Sequence, residues 1–209
     1  IYGQALFLDG SGDGADGFFS VDLPTQTLSA FTIETWFRSS FNNPSGAHLV
    51  SLHDDNNFLA LWNLTSGSID GWSHGTNPVN TSGPSTSPLL DDAWHHAAFT
   101  YDGSQTKMFI DGVLVANNSV TGTLGSLSGP NRLAIGARYT GDANFFHGSL
   151  DNVRIHDEAL EQSQLGIYTD SLSPVPEPST LALLGIGGLG LCGHKWRRRR
   201  KAIAVCENS

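Results

Sequence analysis

Three carboxylates in a glycine-rich run are the first residues here that could do chemistry. D-G-S-G-D-G-A-D-G (Asp9–Gly17) offers Asp9, Asp13 and Asp16. Hard cations such as Ca2+ take carboxylate and carbonyl oxygens, and a flexible acidic loop supplies both. The run departs from the EF-hand spacing and lacks its distal glutamate. Asp151 adds a second clue. Strict strand alternation sets it on the face of Val153 and Ile155, and an inward carboxylate costs several kcal/mol unless it is partnered. A Ca2+ ion, a cluster of backbone N–H groups or an arginine would each satisfy it. The expected calcium ligands are Asp9, Asp13 and Asp151.

The histidines offer less. His95 and His96 are adjacent, and neighbours in a strand point to opposite faces, so they do not share one ion easily. His53 stands before Asp54-Asp55-Asn56-Asn57 and reads as part of a polar hairpin loop. Glycoside hydrolysis usually needs two carboxylates about 5–10 Å apart. Glu34 is alone on its strand with Thr32, Trp36 and Arg38. There is no serine nucleophile elbow, no His-Glu zinc pair and no phosphate-binding loop. The expectation is a protein that binds and does not catalyse.

A glycan is the ligand that the remaining residues suit. Sugars present CH-rich faces to aromatic rings and hydroxyls to amides and carboxylates. Trp62, Asn63, Trp72 and His74 fall near strand ends beside a long polar stretch and could form an aromatic–polar patch. The alternative is that Trp62 fills the core and Trp72 covers a loop. Trp36 and Trp94 read as core.

These residues need strands to position them. Short β-branched and aromatic runs recur with turn signals every 8–12 residues or so, the pattern of an all-β sandwich or barrel. Phe31–Arg38 alternates, with Phe31, Ile33, Thr35 and Phe37 on one side and Thr32, Glu34, Trp36 and Arg38 on the other. Asp111-Gly112 predicts a tight hairpin, since that turn needs two positive φ angles. Ser73–Leu89 is polar and rich in proline and glycine, so it reads as a long loop or as an edge strand flanked by loops. One short helix is expected at Gln162–Tyr168.

Charge divides the chain. The formal net charge is −9, but residues 1–179 carry 5 Lys+Arg against 19 Asp+Glu, while residues 180–209 carry 6 against 1. An acidic body argues against a nucleic-acid partner. The domain of residues 1–170 is followed by a Pro/Ser linker at 171–179. From 180 to 194 the chain is apolar and glycine-rich. The 17 uncharged residues between Glu177 and Lys195 would span about 26 Å as a helix, against a hydrocarbon core of about 30 Å. A transmembrane segment at 180–194 is expected. Lys195, Arg197, Arg198, Arg199, Arg200 and Lys201 would hold the tail 195–209 at the cytoplasmic surface, with the body outside. The chain begins with Ile1, so any N-terminal export signal is expected to lie outside this sequence.

Two resemblances follow. V-P-E-P-S-T-L-A-L-L-G (Val175–Gly185), the apolar span and R-R-R-R-K together resemble the bacterial PEP-CTERM sorting signal. That resemblance implies an exosortase-type protease partner, with Pro176, Glu177 and Pro178 as the recognition element. The extra residues Ala202–Ser209 depart from most relatives. The body resembles the concanavalin A-like laminin-G jelly-roll β-sandwich through A-L-F-L-D-G (Ala5–Gly10), F-T-I-E-T-W-F-R (Phe31–Arg38), D-D-A-W-H-H-A-A-F-T-Y-D-G (Asp91–Gly103), M-F-I-D-G-V-L-V (Met108–Val115), L-A-I-G (Leu133–Gly136) and F-H-G-S-L-D-N-V-R-I-H (Phe146–His156). It implies paired first and last strands and a structural Ca2+. Glucanases of this fold carry Glu-x-Asp-x-x-Glu on one strand, which is missing here. The implied roles are polysaccharide binding at the cell surface or an adhesive spacer without a ligand.

Overall fold

The computed structural model describes residues 5–11, 18–23, 28–42, 46–53, 58–65, 68–74, 79–84, 89–120, 131–138, 141 and 143–169. The chain divides into Ile1–Asp170 and Ser171–Ser209, and all described residues lie in the first unit. Its strands are β1 (Leu6–Asp9), β2 (Phe19–Leu23), β3 (Phe31–Arg38), β4 (His48–His53), β5 (Phe58–Thr65), β6 (Ser68–His74), β7 (Val79–Pro84), β8 (His95–Tyr101), β9 (Gln105–Ile110), β10 (Val113–Ser119), β11 (Asn131–Ile135) and β12 (His147–His156). They form two antiparallel six-stranded sheets, ordered β1-β12-β3-β8-β9-β10 and β2-β11-β4-β5-β6-β7. The first and last strands pair, Leu6 with Leu150 and Asp9 with His147. The stretch read as a loop or an edge strand contains β7, at the edge of the second sheet.

Alternation builds the interior. Phe31, Ile33 and Phe37 of β3 meet Leu8, Leu49, Leu61, Ile69 and Phe99 in one buried cluster. The sheets approach closely where side chains are small: a Cβ on Gly71 would run into the Phe99 ring. Near the β7 edge the Thr81 and Thr106 hydroxyls bond across the sheets at 2.6 Å. The Asp111-Gly112 hairpin forms as expected, with φ of 49° and 77°.

The expected helix divides into a 3-10 turn, Gln162–Gln164, and one helical turn, α1 (Gly166–Thr169). Residues 157–169 make a strap across the outer face of the first sheet. Leu160 and Leu165 bury against Ala98 and Phe109 in a second small core. Each buried leucine contributes about 1.5–3 kcal/mol. The strap is also pinned by hydrogen bonds. The Thr32 hydroxyl donates to the Glu158 carbonyl and accepts from the Leu160 N–H, both at 2.9 Å. Gln162 donates to the Gly112 carbonyl at 2.6 Å.

Candidate functional site

Glu34 is not the isolated carboxylate that its strand implies. It is 1% exposed and sits under the strap. The His96 Nε2 lies 3.2 Å from one carboxylate oxygen, which also accepts the Gly166 N–H at 2.8 Å. The His156 Nε2 and the Arg154 guanidinium face the other oxygen at 3.3 and 3.6 Å. Burial alone would raise this carboxyl. The hydrogen bonds from His96 and Gly166, and the nearby His96 imidazole, outweigh it and hold the group at about 2. A Cβ on Gly166 would stand 2.5 Å from the end of the Arg154 guanidinium, which would have to shift to admit it. The arrangement is a closed anchor for the strap. An acid ionised this strongly is poorly suited to proton donation.

His95 and His96 do point apart. His96 faces outward to Glu34. His95 packs on Phe37 with ring centroids 5.8 Å apart and bonds Asp111 at 2.8 Å and Asp91 at 3.1 Å. Burial would lower its pKa, but the two aspartates raise it. His53 ends β4 and does not lie within a loop.

A bulge overturns the expected orientation of Asp151. β12 pairs Asp151 with Trp36 but Arg154 with Glu34, so Asn152 and Val153 on one strand stand against Thr35 alone on the other. Asn152 absorbs the extra residue at φ 50°. Asp151 therefore shares the outer face with Trp36 and Arg154, away from Ile155, which pairs with core-facing Ile33. One of its oxygens accepts the Asn152 N–H at 2.8 Å. The other is buried and, among the described residues, has no hydrogen-bond partner, and the same holds for the His96 Nδ1. Trp36, read as core, lies between them on that outer face and is partly exposed.

The proposed calcium ligands do not converge. Asp9 pairs with His147, four positions along β12 from Asp151. That is about 13 Å at the strand rise, too far for two carboxylates on one ion. Asp9 instead accepts the Ser11 N–H and hydroxyl at 2.9 and 2.7 Å, which hold its carboxyl below the usual range. Asp13 lies outside the described residues. Among the described residues no group of three His, Cys, Asp or Glu side chains is arranged to hold a metal.

Trp72 stands on the outer face of the second sheet. Its neighbour Gly71 faces Phe99 in the core, so the indole points the other way and is partly exposed. Ala60 is its partner on β5, and Ser51 and Ala134 continue the row across the sheet. A second row carries Asp22, Arg132 and His53, with Arg132 bonding Asp22 at 3.1 Å. Buried His48 is pushed down to about 3, chiefly by burial, so it is neutral. Ser51 donates to the Ala137 carbonyl at 3.2 Å, and His48 Nδ1 therefore donates to Ser51 at 2.6 Å. The register pairs Trp62 with Asp70 and Phe58 with His74. The side chains of Trp62, Asn63 and His74 lie outside the described residues. So do Pro176, Glu177, Pro178, the 180–194 span and the basic cluster. Among the described residues no helix is long and apolar enough to cross a membrane.

An aromatic cluster on the first sheet carried no sequence signal. Phe41 stacks on His147 at 4.9 Å and 23°, and Phe7 meets the same ring edge-on at 6.2 Å. The contacts join a loop to two strands that are distant in sequence.

With both sheets in place, the family can be stated. Residues 13–166 match the model of the concanavalin A-like lectin/glucanases superfamily, and the chain belongs to it. Residues 174–200 match the PEP-CTERM protein-sorting motif. That motif marks exported proteins of the bacterial cell envelope and implies an exosortase-type processing system. Among solved structures, the Ruminococcus gnavus IT-sialidase CBM40, also solved with bound α2,3-sialyllactose, has 16% identity and a TM-score of 0.63 for the native form, with 80% of this chain and 96% of that one covered. A heptameric SAP-like pentraxin from Limulus polyphemus gives 17%, 0.56, and 83% of each chain. Mouse laminin α1 domains LG4-5 give 16% and 0.57, with 77% of this chain but only 44% of that one covered. At these identities the likeness is one of fold. No curated protein matches the chain.

Proposed function

We propose that the sandwich binds polysaccharide at the bacterial surface through the outer face of its second sheet, with Trp72 as the stacking residue. The observation that carries this reading is the position of Trp72: mid-strand, outward and partly exposed, at the end of a row whose other members, Ala60, Ser51 and Ala134, are fully buried, so the indole is the exposed part of that row. Asp22, Arg132 and His53 in the parallel row supply hydrogen-bonding groups for hydroxyls. The likeness to a carbohydrate-binding module adds support at the level of fold. In this reading 180–194 spans the membrane until processing, with the basic cluster inside and the body outside. Catalysis has no part in it, because the most perturbed carboxyl, Glu34, is sealed beneath the strap. Calcium has no assigned place, since Asp9 and Asp151 do not share a site.

The test is affinity electrophoresis of the full chain in mild detergent, through gels holding galactomannan, mixed-linkage β-glucan or alginate. At least one polysaccharide is expected to retard the protein. Trp72→Ala should weaken that binding about tenfold, which is about 1.4 kcal/mol. No retardation in any gel, or equal retardation of the variant, would overturn the reading and leave a ligand-free spacer.

A further inference from the structure

His95 meets a carboxylate at each ring nitrogen. Nδ1 lies 2.8 Å from Asp111 and Nε2 lies 3.1 Å from Asp91. A neutral imidazole carries one N–H and one bare lone pair, and an ionised carboxylate only accepts. In the neutral ring, one of the two contacts would set a lone pair against a carboxylate oxygen. Both are hydrogen bonds only when both nitrogens carry protons, so the geometry calls for an imidazolium. Backbone donors hold the aspartates in the accepting form. The Asp91 oxygen that faces Nε2 also accepts the Ala93 N–H at 2.8 Å, which with the His95 ring keeps its carboxyl below the usual range. Asp111 accepts the His96 N–H on its other oxygen, also at 2.8 Å.

The cation sits where three pieces of the fold meet. It opens β8 and packs on Phe37 of β3. Asp91 belongs to the bend before β8, and that bend is fastened to the end of β3. The Asp92 N–H donates to the Ser39 carbonyl at 3.1 Å, and Arg38 holds the Asp92 carboxylate at 3.0 and 2.8 Å. Asp111 belongs to the hairpin between β9 and β10, and its own N–H donates to the His96 carbonyl at 2.8 Å. The next residue, Gly112, accepts the Gln162 amide of the strap. The His95 side chain is 8% exposed, against 36% for Asp91 and 39% for Asp111, so the ring is shielded while water reaches the carboxylates. From β3 the ring meets an apolar side chain, from the bend Asp91, and from the hairpin Asp111. Arg38 is taken up by Asp92, and His96 turns to the opposite face toward Glu34.

We propose that His95 is a pH-sensitive clasp: as an imidazolium it ties the Asp111-Gly112 hairpin to the bend that carries Asp91, and on losing a proton it lets the hairpin go, together with that hairpin's hold on Gln162 of the strap. The hairpin is the part that moves, because the bend stays tied to β3. Burial pulls the ring toward the neutral form, but the bonds to Asp111 and Asp91 outweigh it and hold its pKa above the ordinary 6.5. A raised folded value means that the clasp is fully closed below pH 6.5 and opens as pH rises through that value. An exported body meets the pH of its surroundings, so alkaline conditions outside the cell would loosen this end of the sandwich and leave the rest of it closed.

The test is nuclear magnetic resonance of the nitrogen-15-labelled full chain in mild detergent. The His95 ring signals are identified by their loss in His95→Gln. Both ring nitrogens are expected to be protonated at pH 7, and the ring should titrate at a lower pH in Asp111→Asn than in the wild type. Native-state hydrogen exchange is then followed across the titration and corrected for intrinsic base catalysis. The Asp111 and His96 amides are expected to lose about threefold or more of their protection as the ring loses its proton, while Phe99 at the centre of β8 keeps its own. In His95→Gln the same two amides should be weakly protected at every pH and show no step. Circular dichroism and melting midpoints establish that the variants fold, and should Asp111→Asn fail to fold, the wild type and His95→Gln carry the test. A ring that is neutral at pH 7, or a step that survives in His95→Gln, would overturn the clasp. An equal loss of protection at Phe99 would overturn it too, since the whole domain would then be opening together.

Discussion

Glu34 binds the strap through one oxygen and faces His156 and Arg154 with the other, and its ionisation is tied to folding. A carboxyl at about 2 when folded and near 4.5 when unfolded stabilises the native state fully above about pH 4.5, and that contribution disappears as pH falls toward 2. The difference is worth about 3 kcal/mol. Glu34→Gln is therefore expected to lower stability at pH 7 by about 2–3 kcal/mol and to flatten the decline of the melting midpoint between pH 4.5 and 2. Asp91, Asp92 and Asp102 also sit below their usual range, so the comparison is between the two curves. Parallel curves across that interval would show that Glu34 contributes no acid dependence. Alternation of β3 gave the correct face for Glu34 but could not show that the face was covered. Its partners come from residues 96, 154, 156 and 166, and only the folded chain brings those together. Trp36 was misread for the opposite reason: it lies on the same outer face, past the end of the cover.

Whole elements were more legible than single residues. β3 matches the expected span Phe31–Arg38, because hydrophobic periodicity and turn residues both mark it. The bulge at Asn152 left no such mark, and one extra residue was enough to turn Asp151 from the predicted inner face to the outer one. β7 was only half legible, since an edge strand can be polar and carry glycine and proline. Gly71 is the clearest case of an element defined by what it lacks. It looks like a weak point in a strand but leaves the space into which Phe99 packs from the other sheet. Gly71→Ala is expected to force the sheets apart locally and to destabilise the domain by about 2–3 kcal/mol, an overpacking penalty. Urea unfolding monitored by circular dichroism measures this. A midpoint within error of wild type would show that the ring moves aside without loss.

At the scale of the molecule, the charge division between body and tail and the sorting motif fit one route, export followed by processing. Replacing Pro176, Glu177 and Pro178 with alanine should leave the sandwich intact and block maturation. The immunoblot of the variant should show only the longer precursor in membrane fractions. Equal amounts of shortened product would show that these three residues are not the recognition element. The proposed saccharide surface was the least legible part. A saccharide surface is assembled from partly exposed side chains on separate strands, and no spacing along the chain records that assembly.

The way the strap is fastened has a consequence for that route. Its anchoring bonds involve Glu158, Leu160, Gln162 and Gly166, and its buried leucines are Leu160 and Leu165. All of them precede the linker. A protease that severs the chain anywhere after residue 170 therefore removes no part of this fastening, and the released body would keep its closing segment in place.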